Sequence, residues 1–126
     1  MKIFQGVDLV KVSRMEQLIR RSGKTFIERV FSADERAYCR SKRMRFEHYA
    51  ARFAAKEAVL KALKIKPKKG LKLSGIEIKR QATGKPYLAL TPQACKILKI
   101  PGKAQIELSL AHEREYAIAT VVIVVP

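Results

Sequence analysis

The chain has 126 residues, 48% of them hydrophobic, with 27 lysines and arginines against 11 acidic side chains and a formal net charge of +16. That length suits one domain, and that apolar share excludes a disordered basic tail. No stretch approaches the roughly 20 apolar residues of a membrane span, and residues 1–10 lack the apolar core of a secretory signal, so a cytoplasmic protein is expected. Cys39 and Cys95 have no ligand spacing around them, which argues against a disulfide framework or a zinc site. The excess charge calls for a polyanionic partner: nucleic acid, an acidic protein, a phosphate-rich cofactor or an anionic membrane surface.

Residues 2–8 read as a strand, with Gly6 at a close backbone approach. A helix follows, in which Ser13 and Glu16 have capping-box spacing and Val12, Met15, Leu18 and Ile19 share a face, with Gly23 as its expected stop. Its polar face carries Arg14, Arg20, Arg21 and Lys24. Ser32 and Glu35 repeat the capping-box spacing and start a short helix through Ser41. The longest helix is expected over residues 45–64, with Phe46, Ala50, Phe53 and Leu60 along one face and Tyr49 and Leu63 at its edge. Pro67 lies beyond its end, and residues 64–72 form a lysine-rich loop.

The remainder reads mostly as strands. Residues 76–79 and 87–90 pair through the turn Gln81-Ala82-Thr83-Gly84-Lys85. Thr91 caps a short helix with Pro92 at its first position, running to Leu98. Residues 105–111 alternate polar and apolar, residues 116–125 form a long apolar strand, and His112-Glu113-Arg114 lies at the turn between them. The expected fold class is α+β: one domain over residues 1–126, with an antiparallel sheet packed on a long central helix plus shorter helices.

Two carboxylates are out of place in this pattern. Glu57, four residues after Phe53 and three before Leu60, falls within the apolar stripe, where a lone carboxylate is costly. A salt bridge to Lys61, four residues on, is its structural alternative. Asp8 interrupts the apolar run Val7 to Val10, and its structural alternative is to cap the following turn. Two semi-buried carboxylates in a basic protein suggest a magnesium site completed by waters and substrate phosphates, with lysines and arginines holding the remaining phosphate charge. No Ser-His-Asp or Cys-His nucleophile set is evident.

Four segments in order carry a family resemblance. They are Gly6-Val7-Asp8-Leu9-Val10, Arg52-Phe53-Ala54-Ala55-Lys56-Glu57-Ala58, Gly84-Lys85-Pro86, and Ser109-Leu110-Ala111-His112 followed by Glu115-Tyr116-Ala117. Phe31-Ser32, Glu35 and Tyr38-Cys39 add to them. Together they span nearly the whole chain and resemble the holo-acyl-carrier-protein synthase family, the short single-domain phosphopantetheinyl transferases. The resemblance implies transfer of 4'-phosphopantetheine from coenzyme A to a serine of an acidic acyl carrier protein, releasing adenosine 3',5'-bisphosphate, in fatty acid biosynthesis. It implies that Asp8 and Glu57 hold Mg2+ and that Arg52, Lys56 and Lys61 face the cofactor's phosphates. Lys61 would stabilise the leaving phosphate, and Asp8, Glu57 and Lys61 together would be the catalytic set. Gly84, Lys85 and Pro86 would line the nucleotide side, Pro86 against the adenine, with His112 near the 3'-phosphate. His112 also continues the apolar alternation of Ile106, Leu108 and Leu110, so a satisfied core or turn histidine is an equal alternative. Arg14 and Arg21 would meet the carrier protein, or else form a solvated face. Glu57 or a metal-bound water would take the serine proton.

The resemblance also implies a homotrimer with active sites between subunits, residues 84–86 coming from a neighbour. Two departures stand out. Ala111 replaces the usual Ser or Thr before the histidine, and the loop Ala62-Leu63-Lys64-Ile65-Lys66-Pro67-Lys68-Lys69-Gly70 carries lysines in place of phosphate-cradling glycines. One alternative function is a basic nucleic-acid-binding module, which explains the charge but neither carboxylate; its aromatics Phe46, Tyr49 and Phe53 fall on a helix stripe rather than a stacking surface. Another is an inactive family member that only binds coenzyme A or carrier protein.

Overall fold

Alternation along the first strand decides where the main helix sits. In the computed structural model, which describes residues 1–67 and 70–126, β1 (Lys2–Lys11) turns Phe4, Gly6, Asp8 and Val10 toward the protein and Ile3, Val7 and Leu9 outward. It pairs antiparallel with β5 (Tyr116–Val125), which pairs antiparallel with β4 (Gln105–His112), giving the order β1-β5-β4. The register puts Gly6 opposite Val121 and Asp8 opposite Ala119, with Leu110 on the far side of Ala119.

Helix α3 (Arg45–Ala62) lies across the inner face of this sheet. Its deepest face is only partly the expected one. Ala50, Leu60 and Tyr49 of the expected stripe are buried, but so are Ala51, Ala54, Ala55, Ala58, Val59 and Ala62, whereas Phe46 and Phe53 are only half-buried at the edge. Small side chains let helix and sheet backbones approach, and Gly6 completes the approach. A Cβ at that position would fall on the Ala58 carbonyl and 2.7 Å from the Ala62 nitrogen. Glu57 therefore borders the core rather than occupying its centre.

Around this pair the shorter elements follow local signals. Helix α1 (Val12–Val30) does not stop at Gly23 but kinks there, at φ 62° and ψ −142°, a conformation open to glycine. Ser13 does not cap it; Lys11 holds the cap position without a side-chain bond, and the Val12 N–H donates to the Glu115 carbonyl at 2.8 Å. Helix α2 (Ala33–Arg40) has the expected capping box, with the Glu35 N–H donating to Ser32 Oγ and the Ser32 N–H donating to Glu35 Oε1. A single 3-10 turn, Leu73–Gly75, leads into the hairpin of β2 (Ile76–Arg80) and β3 (Pro86–Leu90), where Arg80 pairs with Pro86. Thr91 caps α4 (Pro92–Leu98) as expected. Within the lysine-rich loop, Lys68 and Lys69 lie outside the described residues.

Gly6→Ala is expected to lower stability by about 3 kcal/mol, since the added methyl meets backbone that cannot rotate away. Thermal unfolding should show the midpoint falling by about 10 °C. An unchanged midpoint would refute the close approach of α3 to β1.

Candidate functional site

Asp8 sits on the inward face of β1, two residues beyond Gly6, so the approach of α3 brings it beside that helix. It shares a cleft of about 410 Å3 with Lys11, Arg14, Met15, Phe53 and Glu57. Lys61 Nζ donates to Asp8 Oδ1 at 2.7 Å, with the lysine side chain 57% exposed and that of Asp8 14%. The i,i+4 pair between Glu57 and Lys61 is thus not formed: Lys61 turns to the strand instead, and Asp8 caps no turn. Glu57 has no ion pair among the described residues. Burial, and then the Asp8 charge, push its carboxyl above the usual range, while Lys61 opposes them.

This arrangement has a definite chemical capacity. Two carboxylates of hard oxygen line one cleft, Asp8 paired with the exposed Lys61 ammonium and Lys11 and Arg14 at the border. No group of three or more potential His, Cys, Asp or Glu metal ligands occurs among the described residues. A zinc cage is therefore not built, whereas two carboxylates suit magnesium, which retains waters and takes further oxygens from substrate phosphates.

A second constellation forms where α2, α3 and the β2–β3 hairpin meet. Arg52 is 2% exposed, its guanidinium 4.3 Å above the Tyr38 ring; Nη1 donates to the His48 carbonyl at 3.3 Å and Nε is buried without a partner. Arg80 and Lys42 also lie over the Tyr38 ring, at 5.1 and 4.8 Å. Tyr38, Arg52, Ile78, Arg80 and Tyr87 line a pocket of about 280 Å3. Gly84, Lys85 and Pro86 form the turn and strand start next to it. The Gly84 N–H donates to the Gln81 carbonyl at 2.8 Å, and φ is 91° at Gly84. The hairpin thus places this turn beside Arg80, within reach of the Arg52 pocket. A set of cations stacked on one ring is an anion-binding arrangement with an aromatic wall.

His112, the last residue of β4, is not a core histidine but is satisfied at the strand end by Glu47. Its Nδ1 lies 2.9 Å from Glu47 Oε1, its side chain is 31% exposed, and its ring meets that of His48 edge-on at 4.8 Å. His48 in turn meets Tyr38 at 5.6 Å. Burial, then the charges of His112, Arg52 and Lys42, hold His48 down at about 4, so it is neutral near pH 7. Ala111, by the alternation of β4, faces away from His112.

Lys56 requires a correction. It cannot face a ligand's phosphates, because its ammonium is completely buried and all three protons are engaged, by Glu35 Oε1 at 2.8 Å and the carbonyls of Leu73 and Ile76 at 2.9 and 2.5 Å. Arg14 and Arg21 are exposed on α1, seven residues apart and so on one face, and Arg14 also borders the Asp8–Glu57 cleft. Tyr38, Glu47, His48 and Arg80 were not assigned site roles from sequence. Only Arg80 left a local signal, its position opposite Pro86 across a recognisable hairpin.

Comparison with known proteins follows this geometry. Residues 5–121 match the family model described as the 4'-phosphopantetheinyl transferase superfamily. The chain is 41% identical over 124 residues to the holo-[acyl-carrier-protein] synthase of Ruminiclostridium cellulolyticum, covering 98% of this chain and 92% of the relative. It is 42% identical over 119 residues to that of Thermodesulfovibrio yellowstonii, covering 94% and 95%. Among solved structures, the ACPS–CoA complex of Chronobacterium ammoniagenes superposes with TM-score 0.84 at 32% identity, covering 98% of this chain and 97% of that one. The Helicobacter pylori holo-[acyl-carrier-protein] synthase in complex with coenzyme A gives 0.81 at 30%, covering 95% and 99%.

Glu57 provides a test on the ligand-free protein. Its folded carboxyl holds a proton more tightly than the unfolded one, so ionisation destabilises the fold above the raised value. That penalty is fully relieved once pH falls below the ordinary value of 4.5. In EDTA at neutral pH, Glu57→Gln is expected to raise the thermal midpoint by about 2 °C, and the gain should vanish at acid pH. A lower midpoint for the variant at neutral pH would contradict the electrostatic account.

Proposed function

The chain belongs to the 4'-phosphopantetheinyl transferase superfamily, and we propose that it is a holo-acyl-carrier-protein synthase, moving 4'-phosphopantetheine from coenzyme A to a serine of an acidic acyl carrier protein. The carrying observation is the Asp8–Glu57–Lys61 cleft, a paired carboxylate site with one exposed ammonium in a chain of net charge +16. The curated relatives bear that enzyme's name, and the two solved relatives above carry coenzyme A.

In this reading, the serine oxygen forms a bond to the β-phosphorus of coenzyme A as the phosphoanhydride bond breaks, and adenosine 3',5'-bisphosphate leaves. Asp8 and Glu57 would hold Mg2+, which when bound supplies neutralisation of the diphosphate and polarisation of its phosphoryl oxygens. Lys61, which reaches Asp8 on a flexible and largely exposed side chain, would turn to the leaving phosphate. The serine proton passes to Glu57 or to a water in the cleft. Arg52 and Arg80, stacked on Tyr38, would bind phosphate, with Gly84, Lys85 and Pro86 on the nucleotide side and His112 near the 3'-phosphate. Positioning and charge neutralisation carry such a reaction without a covalent enzyme intermediate. Arg14 and Arg21 would steer the acidic carrier protein toward the cleft that Arg14 borders.

The outward face of the sheet supports a homotrimer. Ile3, Val7, Leu9, Tyr116 and Ile118 are 62%, 50%, 60%, 41% and 38% exposed there, an apolar surface that further copies of the chain would cover. Sites shared between subunits would then combine Asp8 and Glu57 of one copy with residues 84–86 of a neighbour. The proposed setting is fatty acid biosynthesis in the cytoplasm. No helix among the described residues is long and apolar enough to cross a membrane.

Intact-mass spectrometry of an apo-acyl carrier protein, incubated with the protein, coenzyme A and magnesium, should show a phosphopantetheine increment. The increment should vanish with EDTA and with Glu57→Ala, and its rate should fall by about 100-fold or more with Lys61→Ala. A folded wild-type sample that adds no mass to any carrier protein would end this reading. Sedimentation should give three times the chain mass, and Ile118→Lys should shift it toward monomer with loss of transfer. A stable, fully active wild-type monomer would remove the trimer.

A further inference from the structure

The pocket around Tyr38 draws its walls from three elements that are not neighbours in sequence. Tyr38 comes from α2, Arg52 from α3 and Arg80 from β2. Behind it, a buried node joins the same three elements. Lys56 Nζ bonds Glu35 Oε1 on α2 and the Leu73 and Ile76 carbonyls at the entry to the hairpin. Glu35 Oε2 accepts from the Ile78 N–H on β2 at 2.9 Å, and Oε1 also accepts from the Ser32 N–H at 2.8 Å. Both side chains are 0% exposed, and every proton of the ammonium is used.

Glu35 and Ile78 themselves border the pocket, and each member of the node lies one step from one of its aromatic or cationic walls. Glu35 is three residues before Tyr38 on α2, Lys56 is four residues after Arg52 on α3, and Ile78 is two residues before Arg80 on the same face of β2. At these spacings the paired side chains point the same way. Locking the node therefore locks the relative placement of the ring and the two guanidinium groups stacked on it. Asp8, Glu57 and Lys61 are held differently, by β1 and the sheet-facing side of α3, and have no contact with the node.

We infer that the buried Lys56–Glu35 pair is the positioning device of the Tyr38–Arg52–Arg80 pocket, and that it sets affinity for the nucleotide end of coenzyme A without entering the transfer step. This rests on the function proposed above. A well-packed neutral replacement of a buried ion pair commonly retains stability, whereas removing one partner leaves a buried charge. Stability and geometry can therefore be separated by comparing Lys56→Met with the double variant Lys56→Met/Glu35→Gln.

In the trimer or whatever assembly the wild-type chain forms, both variants should show KM for coenzyme A raised about tenfold, with kcat within about threefold and KM for the carrier protein unchanged. The double variant should regain the thermal midpoint but not the KM. If it regains both, the pair serves stability alone and the inference is overturned; should Lys56→Met not fold, the double variant decides by itself. Amide hydrogen exchange gives a readout independent of transfer. Faster exchange confined to residues 76–90 of the double variant supports the inference, and unchanged exchange there overturns it. A wild-type protein that transfers nothing would sink the proposed function while leaving this exchange measurement to decide the positioning role.

Discussion

The contact between α3 and the inner face of the sheet is the constraint on which the rest depends. Six small or medium residues of one helix face, five of them alanine, meet a sheet whose facing residues are Gly6, Ala117, Ala119, Val121 and Ile123. Small against small allows backbone to approach backbone, and dispersion between many close atoms replaces the burial of a few large side chains. The closeness has a chemical consequence. Asp8, one strand repeat beyond Gly6, is brought against the same helix that carries Glu57 and Lys61. A larger residue at the contact would part the strand from the helix and with it the two carboxylates.

Two of the buried acids show opposite electrostatic designs. Glu35 is fully satisfied by one ammonium and two backbone N–H groups, so its charge is spent inside the fold. Such a pair specifies geometry more surely than it adds stability. Glu57 is left without a paired cation and with its carboxyl pushed up, an unfavourable arrangement that a proton or a bound cation would relieve. The basic excess is likewise uneven. Lys56 is neutralised within the core, while Arg52 is buried but keeps an unpartnered Nε beside a stacked tyrosine. Unsatisfied groups of both signs, in a fold that satisfies Glu35 and Lys56, are what make these two places candidates for substrate contact.

Much of this was legible in the sequence because the signals are local. The Ser32 and Thr91 caps, the hairpin across Gly84, the long last strand and the approach at Gly6 each need only neighbouring residues. Gly23 was misread because a glycine with positive φ serves a kink as well as a stop, and the apolar residues Phe26, Ile27 and Val30 continue the helix beyond it. The core face of α3 was read only in part, Ala50, Tyr49 and Leu60 being buried as expected, because hydrophobic periodicity weights large side chains, whereas packing a helix onto a strand at Gly6 selects alanine. Lys56 was misplaced for a different reason: lysine reads as surface until its neutralising partner, 21 residues away, is known. Tyr38, Glu47, His48 and Arg80 become a cluster only through tertiary contact. Asp8 and Glu57 were visible as two carboxylates in apolar runs, which with the basic surroundings suggested magnesium, and the family resemblance strengthened that reading.

The ligand-free cleft is close to self-neutralising, and this bears on the order of events. Asp8 is paired with Lys61, and the Glu57 carboxyl is pushed up by burial and then by the Asp8 charge. Lys61 cannot leave Asp8 for a phosphate without exposing two adjacent carboxylates to each other, unless another cation takes its place. An anion arriving alone meets Lys61 already paired with Asp8, with Lys11 and Arg14 at the border of the cleft, and a cation arriving alone must compete with Lys61 for Asp8. Each event is costly alone, and together they offset one another: the cation frees Lys61, and the freed Lys61 favours the anion. If the proposed function holds, linkage of this kind would make the affinities for divalent cation and diphosphate mutually dependent by the same factor. In that reading the Asp8–Lys61 ion pair is the resting state of a coupled site, more than a surface contact that adds stability.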